Sequence, residues 1–198
     1  MITVSTSERS KRGYHHGDLR TAAVEAGLAL LEDRTADDVG LREVARAVGV
    51  SATALYRHFP DKEALRHALA IEGFARLAAA QIAAQAGAGP GIAGFNATGR
   101  AYVRFALANP GLFRLMFSST PAFDALGGGD AKHDEAMRLL QDNAARLVRG
   151  DAGPAAARLF ALRAWALVHG LAVLLLDRQI EGSDELIDAA IDARTMLP

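Results

Sequence analysis

The sequence contains no cysteine among its 198 residues. Disulfide bonds, thiolate zinc sites, iron–sulfur ligation and cysteine nucleophiles are therefore all excluded. Residues 1–13 carry charged side chains but no apolar run after them, so we expect no cleaved signal peptide. Together these features fit a protein of the reducing cytoplasm, which is the location that we expect.

The chain also lacks an excess of charge, because 22 basic residues stand against 23 acidic ones, for a formal net charge of −1. A protein that holds DNA without regard to its sequence depends on neutralising phosphates, and this balance disfavours that class. Any DNA-binding role must therefore be argued from local features. The hydrophobic share of 51% excludes a disordered chain, and the length suits one domain or two small ones with a shared core.

The sequence motifs of common enzymes are missing as well. No G-x-S-x-G, H-E-x-x-H or Walker sequence occurs, and the six histidines do not pair with acidic residues at metal-ligand spacing. Residues 89–94 match G-x-G-x-x-G, but a predicted helix precedes them where a dinucleotide site needs a strand. We expect a protein that is not an enzyme and uses no metal or cofactor. The alternative is an enzyme or a small-molecule carrier that uses a cavity in the C-terminal part.

Residues 159–176 form a nearly continuous apolar run that is about long enough to cross a bilayer. The run also contains Arg163 and His169, and an arginine in the middle of a membrane is costly. A helix that is apolar on nearly all faces is buried in a soluble protein. The run therefore predicts a buried helix, and we expect no membrane partner.

Helical spacing of apolar residues runs through most of the chain, and strand-like alternation is absent, which predicts an all-α fold with about nine helices. Asp18 is expected to cap the first helix. Residues 87–94 are interpreted as a linker and residues 119–130 as a loop. The predicted helices cover residues 18–33, 41–48, 51–58, 61–86, 96–109, 110–118, 132–149, 154–177 and 183–196.

A helix-turn-helix is predicted at about residues 40–59, within the stretch VGLREVARAVGVSATALYRHF. Gly49 allows the left-handed conformation that a tight turn between two helices requires, and Ser51 can cap the second helix. Leu55 and Phe59 face inward in that helix. The outward face then holds mainly short side chains, and such a face can enter the major groove of DNA. The outward residues are Ala52, Thr53, Tyr56 and Arg57.

The run V-A-x-x-V-G-V-S-x-x-x-L-Y-x-H-F-x-D-K-x-x-L at residues 44–65 resembles the DNA-binding domain of the TetR family of bacterial transcriptional regulators. The W-x-x-x-H-G sequence at Trp165, His169 and Gly170 resembles the WHG-type C-terminal domain of some members. Residues 14–20 (YHHGDLR) are similar to the opening of such members. The resemblance implies an all-helical homodimer, usually a repressor, that a small ligand releases from DNA.

Three regions follow from this resemblance. They are a flexible basic arm at residues 1–16, the DNA-binding domain at 17–76, and a domain for effector binding and dimerisation at 77–198. The arm, with Arg9, Lys11 and Arg12, either follows the DNA or has no role. Two copies of the second helix of the motif should read a palindromic operator in double-stranded DNA.

The resemblance also implies which side chains meet DNA. Tyr56, His58 and Lys62 match positions that reach phosphates, although Tyr56 could be half-buried core and Lys62 a solvated surface residue. Ala52 and Thr53 are expected to meet base edges. The full predicted set is Arg42, Ser51, Ala52, Thr53, Tyr56, His58 and Lys62, where Arg42 either touches DNA or is a solvated helix residue.

The C-terminal part contains a set of apolar and aromatic residues that forms either ordinary core or a pocket for a small, largely apolar effector. The set is Phe105, Phe113, Met116, Phe117, Trp165 and His169. His169 is either the polar contact of such a ligand or a structural residue bonded to a nearby carbonyl. The last two helices carry more apolar surface than one helix pair needs, which predicts a dimer interface there. The helix at 61–86 alone spans both parts, so it is expected to couple them.

Overall fold

The computed structural model of the chain describes residues 16–35, 37–118, 135–148 and 153–195, with the backbone alone at 16–18. Within these ranges the protein forms nine α-helices and one short 3₁₀ helix, and they contain no strand. The all-α prediction is therefore confirmed. The predicted basic arm and the predicted loop at 119–130 lie outside the described residues, apart from the backbone at residue 16.

A small unit of three helices comes first, and the fourth helix leads from it into a larger bundle. The 3₁₀ helix (Ala193–Thr195) ends the described part of the chain. In chain order the α-helices are α1 (His16–Asp33), α2 (Leu41–Val48), α3 (Ala52–Tyr56), α4 (Lys62–Ala88), α5 (Gly91–Ala108), α6 (Pro110–Ser118), α7 (Glu135–Leu147), α8 (Gly153–Leu176) and α9 (Asp184–Ala190).

Two helix ends near the N-terminus differ from the predicted ones. α1 begins at His16, so Asp18 lies inside its first turn and is not the N-cap. α3 ends at Tyr56 and not at residue 58. The chain leaves α3 in a tighter turn, in which the His58 N–H donates to the Leu55 carbonyl at 2.9 Å.

The predicted linker at residues 87–94 is wrong, because most of it is helical. α4 continues to Ala88 and α5 begins at Gly91, so only Gly89 and Pro90 separate them. Gly89 has a φ of 82° and a ψ of −173°, a conformation that residues with a side chain rarely adopt and that glycine adopts without strain. The short break folds α5 back along α4, and these two helices make the most extensive contact of the bundle.

The last predicted helix is also shorter than expected, because α9 ends at Ala190 and not at residue 196. Two polar side chains hold the chain in another conformation there. The Asn96 Oδ1 atom on α5 accepts from the Ala193 N–H at 2.9 Å, and the Asp192 carboxylate accepts from the Arg194 N–H at 3.1 Å. These bonds start the 3₁₀ helix in place of a further turn of α9.

One buried apolar cluster extends from α1, α2 and α3 along α4 to α5, α6 and α8. Phe59 and Leu65 are among its least exposed members on the N-terminal side, and Met116 is one on the C-terminal side. α4 passes residue 76 without a break. The two predicted domains therefore share a core, and their exact limits stay a prediction.

Glycines bring α4 very close to two neighbouring helices. A Cβ atom built on Gly27 of α1 would lie 2.8 Å from Leu69 Cδ2 of α4. A Cβ atom on Gly73 of α4 would lie 2.8 Å from Met116 Sδ of α6. Both distances are shorter than real Cβ contacts, so the observed packing needs glycine at both positions unless the facing side chains move.

A third glycine joins α6 directly to α1. A Cβ atom on Gly111 would lie 2.6 Å from the Leu31 carbonyl oxygen and 2.9 Å from the Arg34 carbonyl oxygen. The first turn of α6 therefore rests on the backbone at the end of α1. The expectation that α4 alone connects the two parts is wrong, because α6 provides a second connection.

α8 is the one helix among the described residues that is long and apolar enough to cross a membrane. The sequence predicts that this helix is buried, but only 39% of its most apolar window is buried within the single chain. One side packs on α5 and α7. Leu159 and Leu174 are 40% and 44% exposed on another side, so α8 keeps an uncovered apolar face.

The contact between α6 and α1 yields a stability prediction. Gly111→Ala places a methyl group against two carbonyl oxygens of the backbone, which cannot rotate away as a side chain can. We expect a loss of about 1–3 kcal/mol in the free energy of unfolding, measured with urea at one fixed protein concentration. Gly87→Ala in α4 is the control, because nothing lies within 4 Å of its new methyl group. That change should stabilise the helix by about 0.5–1 kcal/mol. Equal effects of the two substitutions would contradict the tight contact.

Candidate functional site

The turn between α2 and α3 has the geometry that the sequence predicts. Gly49 adopts the left-handed conformation (φ 77°, ψ 30°), in which a side chain would be strained. The Val50 N–H donates to the Ala45 carbonyl at 2.9 Å, which closes the end of α2. The Ser51 hydroxyl accepts from the Ala54 N–H at 3.2 Å and so caps α3. Both predictions about this turn are confirmed.

One side of α3 packs against the core, and the opposite side is exposed. Leu55 and Phe59 are almost fully buried, and the Arg20 guanidinium lies 5.4 Å from the centre of the Phe59 ring. Tyr56 is 49% exposed, so it lies at the surface and not within the buried core. Arg42 of α2 and Thr53 of α3 are exposed, and His58 is half-buried in the turn after α3. Ala52 is also half-buried and packs against the core, so it is less open than the sequence predicts.

Lys62 has a structural role that the sequence did not predict. Its Nζ atom donates to the Asp37 carbonyl at 2.7 Å and so ties the α1–α2 loop to the start of α4. Arg66 strengthens this tie through the Asp37 carboxylate at 2.9 Å. The Asp61 carboxylate caps α4 by accepting from the Ala64 N–H at 2.8 Å. One of the three ammonium donors of Lys62 is therefore used within the protein.

A small, mostly apolar cavity lies among α4, α5, α6, α7 and α8. Its volume is about 50 Å³, which exceeds the roughly 10–15 Å³ that one water needs but is below the 150 Å³ of an engineered cavity that binds benzene. Aspartate, glutamate, lysine and arginine are absent from its described lining. The aromatic lining residues are Phe74, Phe95, Tyr102, Phe117 and Trp165, and the polar ones are Gln81, Asn96 and Thr98.

The structure separates the six predicted effector residues into two groups. Phe117 and Trp165 line the cavity. Phe113 and Met116 are buried in the apolar core. Phe105 is partly buried and packs against the same core. None of these three, nor His169, is among the described residues that line the cavity. Their role in ligand binding stays a prediction.

His169 sits beside the cavity in a cluster of rings. Its ring centre lies 4.6 Å from that of Phe117 and 5.5 Å from that of Phe113. The Tyr102 hydroxyl lies 2.8 Å from His169 Nδ1, and Trp165 Nε1 donates to the same hydroxyl at 3.4 Å. Which of the Tyr102 hydroxyl and His169 Nδ1 donates to the other depends on the tautomer of the His169 ring. Burial lowers the pKa of His169 and so favours the neutral ring.

Gln81 is the cavity residue that sequence reasoning missed. It is only 7% exposed, and its Nε2 atom donates to the Thr98 carbonyl at 3.2 Å. Its Oε1 atom is buried without a hydrogen-bond partner. A signal was available, because positions 73, 77 and 81 recur on one face of α4 and the first two are apolar or glycine. A polar residue at a position that continues an apolar helix face predicts a buried polar side chain.

The lowered pKa of His169 predicts a dependence of stability on pH. The unfolded chain takes up a proton at a higher pH than the folded one, so the free energy of unfolding should fall as the pH drops through and below about 6.5. Urea unfolding between about pH 7.5 and 5.5 should show a weaker pH dependence for His169→Gln than for the wild type. His67→Gln, at an exposed position of α4, should keep the wild-type dependence. An unchanged profile for His169→Gln would contradict the assignment.

Comparison with known proteins identifies both halves of the chain. Residues 23–69 match the family "Bacterial regulatory proteins, tetR family", and residues 95–194 match "Tetracyclin repressor-like, C-terminal domain". No curated protein matches the sequence.

Three solved structures illustrate the likeness. A protein of unknown function from Rhodococcus sp. RHA1 is 35% identical, with a TM-score of 0.73 and coverage of 94% of this chain and 97% of its own. A tetR-family transcriptional regulator from Streptomyces coelicolor is 22% identical (TM-score 0.66, coverage 91% and 80%). TetR from Acinetobacter baumannii AYE is 19% identical (TM-score 0.60, coverage 93% and 95%). The latter two share the fold. With both parts of the sequence matched and the helix-turn-helix in place, the chain belongs to the TetR family of DNA-binding transcriptional regulators.

Proposed function

We propose that the protein is a homodimeric repressor that binds a palindromic operator and leaves it when a small, largely apolar ligand occupies the cavity. The observation that carries this proposal is the course of α4. Its first residue, Lys62, lies beside the helix-turn-helix, and Gln81 of the same helix lines the cavity. A ligand that shifts α4 therefore shifts the DNA-binding unit with it.

α6 supplies a second connection from the cavity to the DNA-binding unit. Phe117 lines the cavity near the end of α6. Gly111 at the start of α6 packs against the Leu31 carbonyl of α1 and the Arg34 carbonyl just after α1. The cavity is smaller than a benzene-sized ligand requires, so such a ligand must displace lining side chains. Displacement of Phe117 would move α6 against α1. A ligand changes DNA binding only by preferring one of two such arrangements.

The exposed face of α3 supports the proposed DNA contacts. Thr53 is exposed at the beginning of α3, where a short side chain can approach a base edge in the major groove. Tyr56 presents its hydroxyl from the same face, in reach of a phosphate. Ser51, Ala52 and His58 flank these two residues. Lys62 keeps donors for a phosphate beyond its bond to Asp37, and Arg42 is exposed on α2.

The uncovered face of α8 supports a dimer interface. Leu159, Ala166, Gly170 and Leu174 recur at the spacing of one helix face, and a Cβ atom on Gly170 would meet nothing within 4 Å in its own chain. Leu186 of α9 is 36% exposed as well. An apolar face with small residues at its middle suits close packing against a second copy. Such a dimer presents two copies of α3 to two half-sites.

The DNA contacts give a prediction that separates base reading from phosphate binding. The operator is first obtained by selecting bound DNA from a random pool, and we expect a palindrome or a near-palindrome. Thr53→Ala should relax the preference at one base pair of each half-site, at a cost of about 1–3 kcal/mol. Tyr56→Phe removes only a hydroxyl and should weaken binding to selected and random DNA alike.

The control for these variants is Leu107→Ser, an exposed position of α5 outside both the proposed DNA surface and the proposed dimer interface. Its preference among DNA sequences should equal that of the wild type. Selection of only asymmetric DNA would contradict the dimeric mode of binding. Equal losses on selected and random DNA for Thr53→Ala would remove that residue from base reading.

Release by a ligand can be tested with toluene and phenol as probes. Trp165 is the single tryptophan of the chain and lines the cavity, so a bound probe should change its emission. At saturation, a releasing probe should lower the affinity for the selected operator roughly 5–150-fold, as is typical of coupled sites. Emission that changes while DNA affinity does not would favour the alternative of a carrier or an enzyme. Neither probe changing the emission would contradict a ligand site in this cavity.

A further inference from the structure

We infer that the cavity selects neutral hydroxyl compounds, of which phenol is the simplest aromatic example, by accepting their O–H hydrogen bond at Gln81 Oε1. This inference rests on the proposed function, since it names the chemical class of the proposed effector. It starts from the one buried oxygen that lacks a partner in the described lining of the cavity.

The orientation of the Gln81 amide is determined by its surroundings. Nε2 donates to the Thr98 carbonyl at 3.2 Å. The opposite orientation would place Oε1 against that carbonyl, and two acceptors cannot share a hydrogen bond. Oε1 is therefore the end of the amide without a partner, and because it is buried, a ligand reaches it only by displacing lining side chains. A buried acceptor without a donor is unfavourable, so a ligand that supplies an O–H removes a cost that the empty protein carries.

The other polar side chains of the lining already have partners. The Thr98 hydroxyl donates to the Phe95 carbonyl at 2.7 Å. Asn96 accepts from the Ala193 N–H, and its amide lies 3.4 Å from the Asp192 carboxylate. The Tyr102 hydroxyl is placed between His169 and Trp165. Among these polar groups, Gln81 Oε1 is therefore the acceptor that a ligand can satisfy. The molecule that complements it best carries one hydrogen-bond donor.

Water is a poor complement to this site. A buried water usually makes about three hydrogen bonds, and here one free acceptor stands among apolar and aromatic walls. A charged ligand is disfavoured too, because the described lining holds no ionised side chain to pair with it. The rings of Phe74, Phe117 and Trp165 suit the flat apolar body of an aromatic compound. These requirements together describe a phenol more closely than a hydrocarbon or a carboxylate.

The experiment compares four probes that differ in one group: phenol, toluene, anisole and benzoate. Phenol carries a donor, toluene carries no polar group, anisole carries only an acceptor, and benzoate is charged. Binding to the full-length protein is followed by the NMR signal of the Trp165 indole N–H, which is unique because the chain has one tryptophan. We expect phenol to bind about tenfold more tightly than toluene or anisole, and benzoate to bind most weakly.

Gln81→Met removes the acceptor at similar size and should abolish the preference for phenol over toluene. Gln179→Met is the control with the same substitution, because Gln179 is exposed beyond the end of α8 and is not among the residues that line the cavity. That variant should keep the preference. Each variant is first checked for wild-type helical content. If Gln81→Met does not fold, Gln81→Leu takes its place, and the phenol-to-anisole ratio of the wild type decides the class of ligand.

Equal binding of phenol and toluene to the wild type would overturn the inference, and so would a phenol preference that survives in the Gln81 variant. Absence of binding by all four probes would also overturn it. Operator release is measured in parallel and separates the two proposals. Phenol that binds through Gln81 without releasing DNA leaves the ligand class intact and contradicts repression by release. Release of the operator by toluene and phenol at equal affinity would contradict the proposed ligand class and leave repression by release intact.

Discussion

The close approach of α1, α4 and α6 is the constraint on which the rest of the structure depends. Each of the three helix pairs meets at a glycine: Gly27 between α1 and α4, Gly73 between α4 and α6, and Gly111 between α6 and α1. The helices are therefore held by backbone and side-chain contacts with no spare space. Such packing does not deform gradually, so a shift of one helix is passed to the other two. The DNA-binding unit and the C-terminal part are consequently coupled through these three helices.

The polar contacts of the C-terminal part show how few hydrogen bonds are needed to position the walls of the cavity. Gln85 and Asn143 exchange two amide hydrogen bonds, at 2.9 and 3.1 Å, and so hold α7 against α4. Asn96 ends α9 by binding the backbone of the segment that follows it. Each of these amides uses both its donor and its acceptor, as buried amides usually do. Gln81 differs from them in using only its donor.

The parts of the structure that were predictable from the sequence are those set by neighbouring residues. Gly49 and Ser51 determine the turn within a few positions, and the motif around them predicts the exposed face of α3. The contact of Lys62 with the Asp37 carbonyl was not predictable, because it joins residues 25 positions apart. For the cavity, composition predicts aromatic residues in α6 and α8 but not which of them face inward. Phe113 thus lies in the core while Phe117 lines the cavity, a difference that depends on the packing of α6 against α4.

The proposed dimer interface on α8 has a consequence for how the regulator responds to its own abundance. A chain that buries Leu159 and Leu174 only by pairing with a second copy is more stable when more of it is present. Occupancy of a two-fold operator then rises with roughly the square of the free protomer concentration as long as monomers predominate, by mass action. A modest change in synthesis or degradation would therefore change promoter occupancy more than in proportion. The apolar face of one helix would in this way set the steepness of a genetic response.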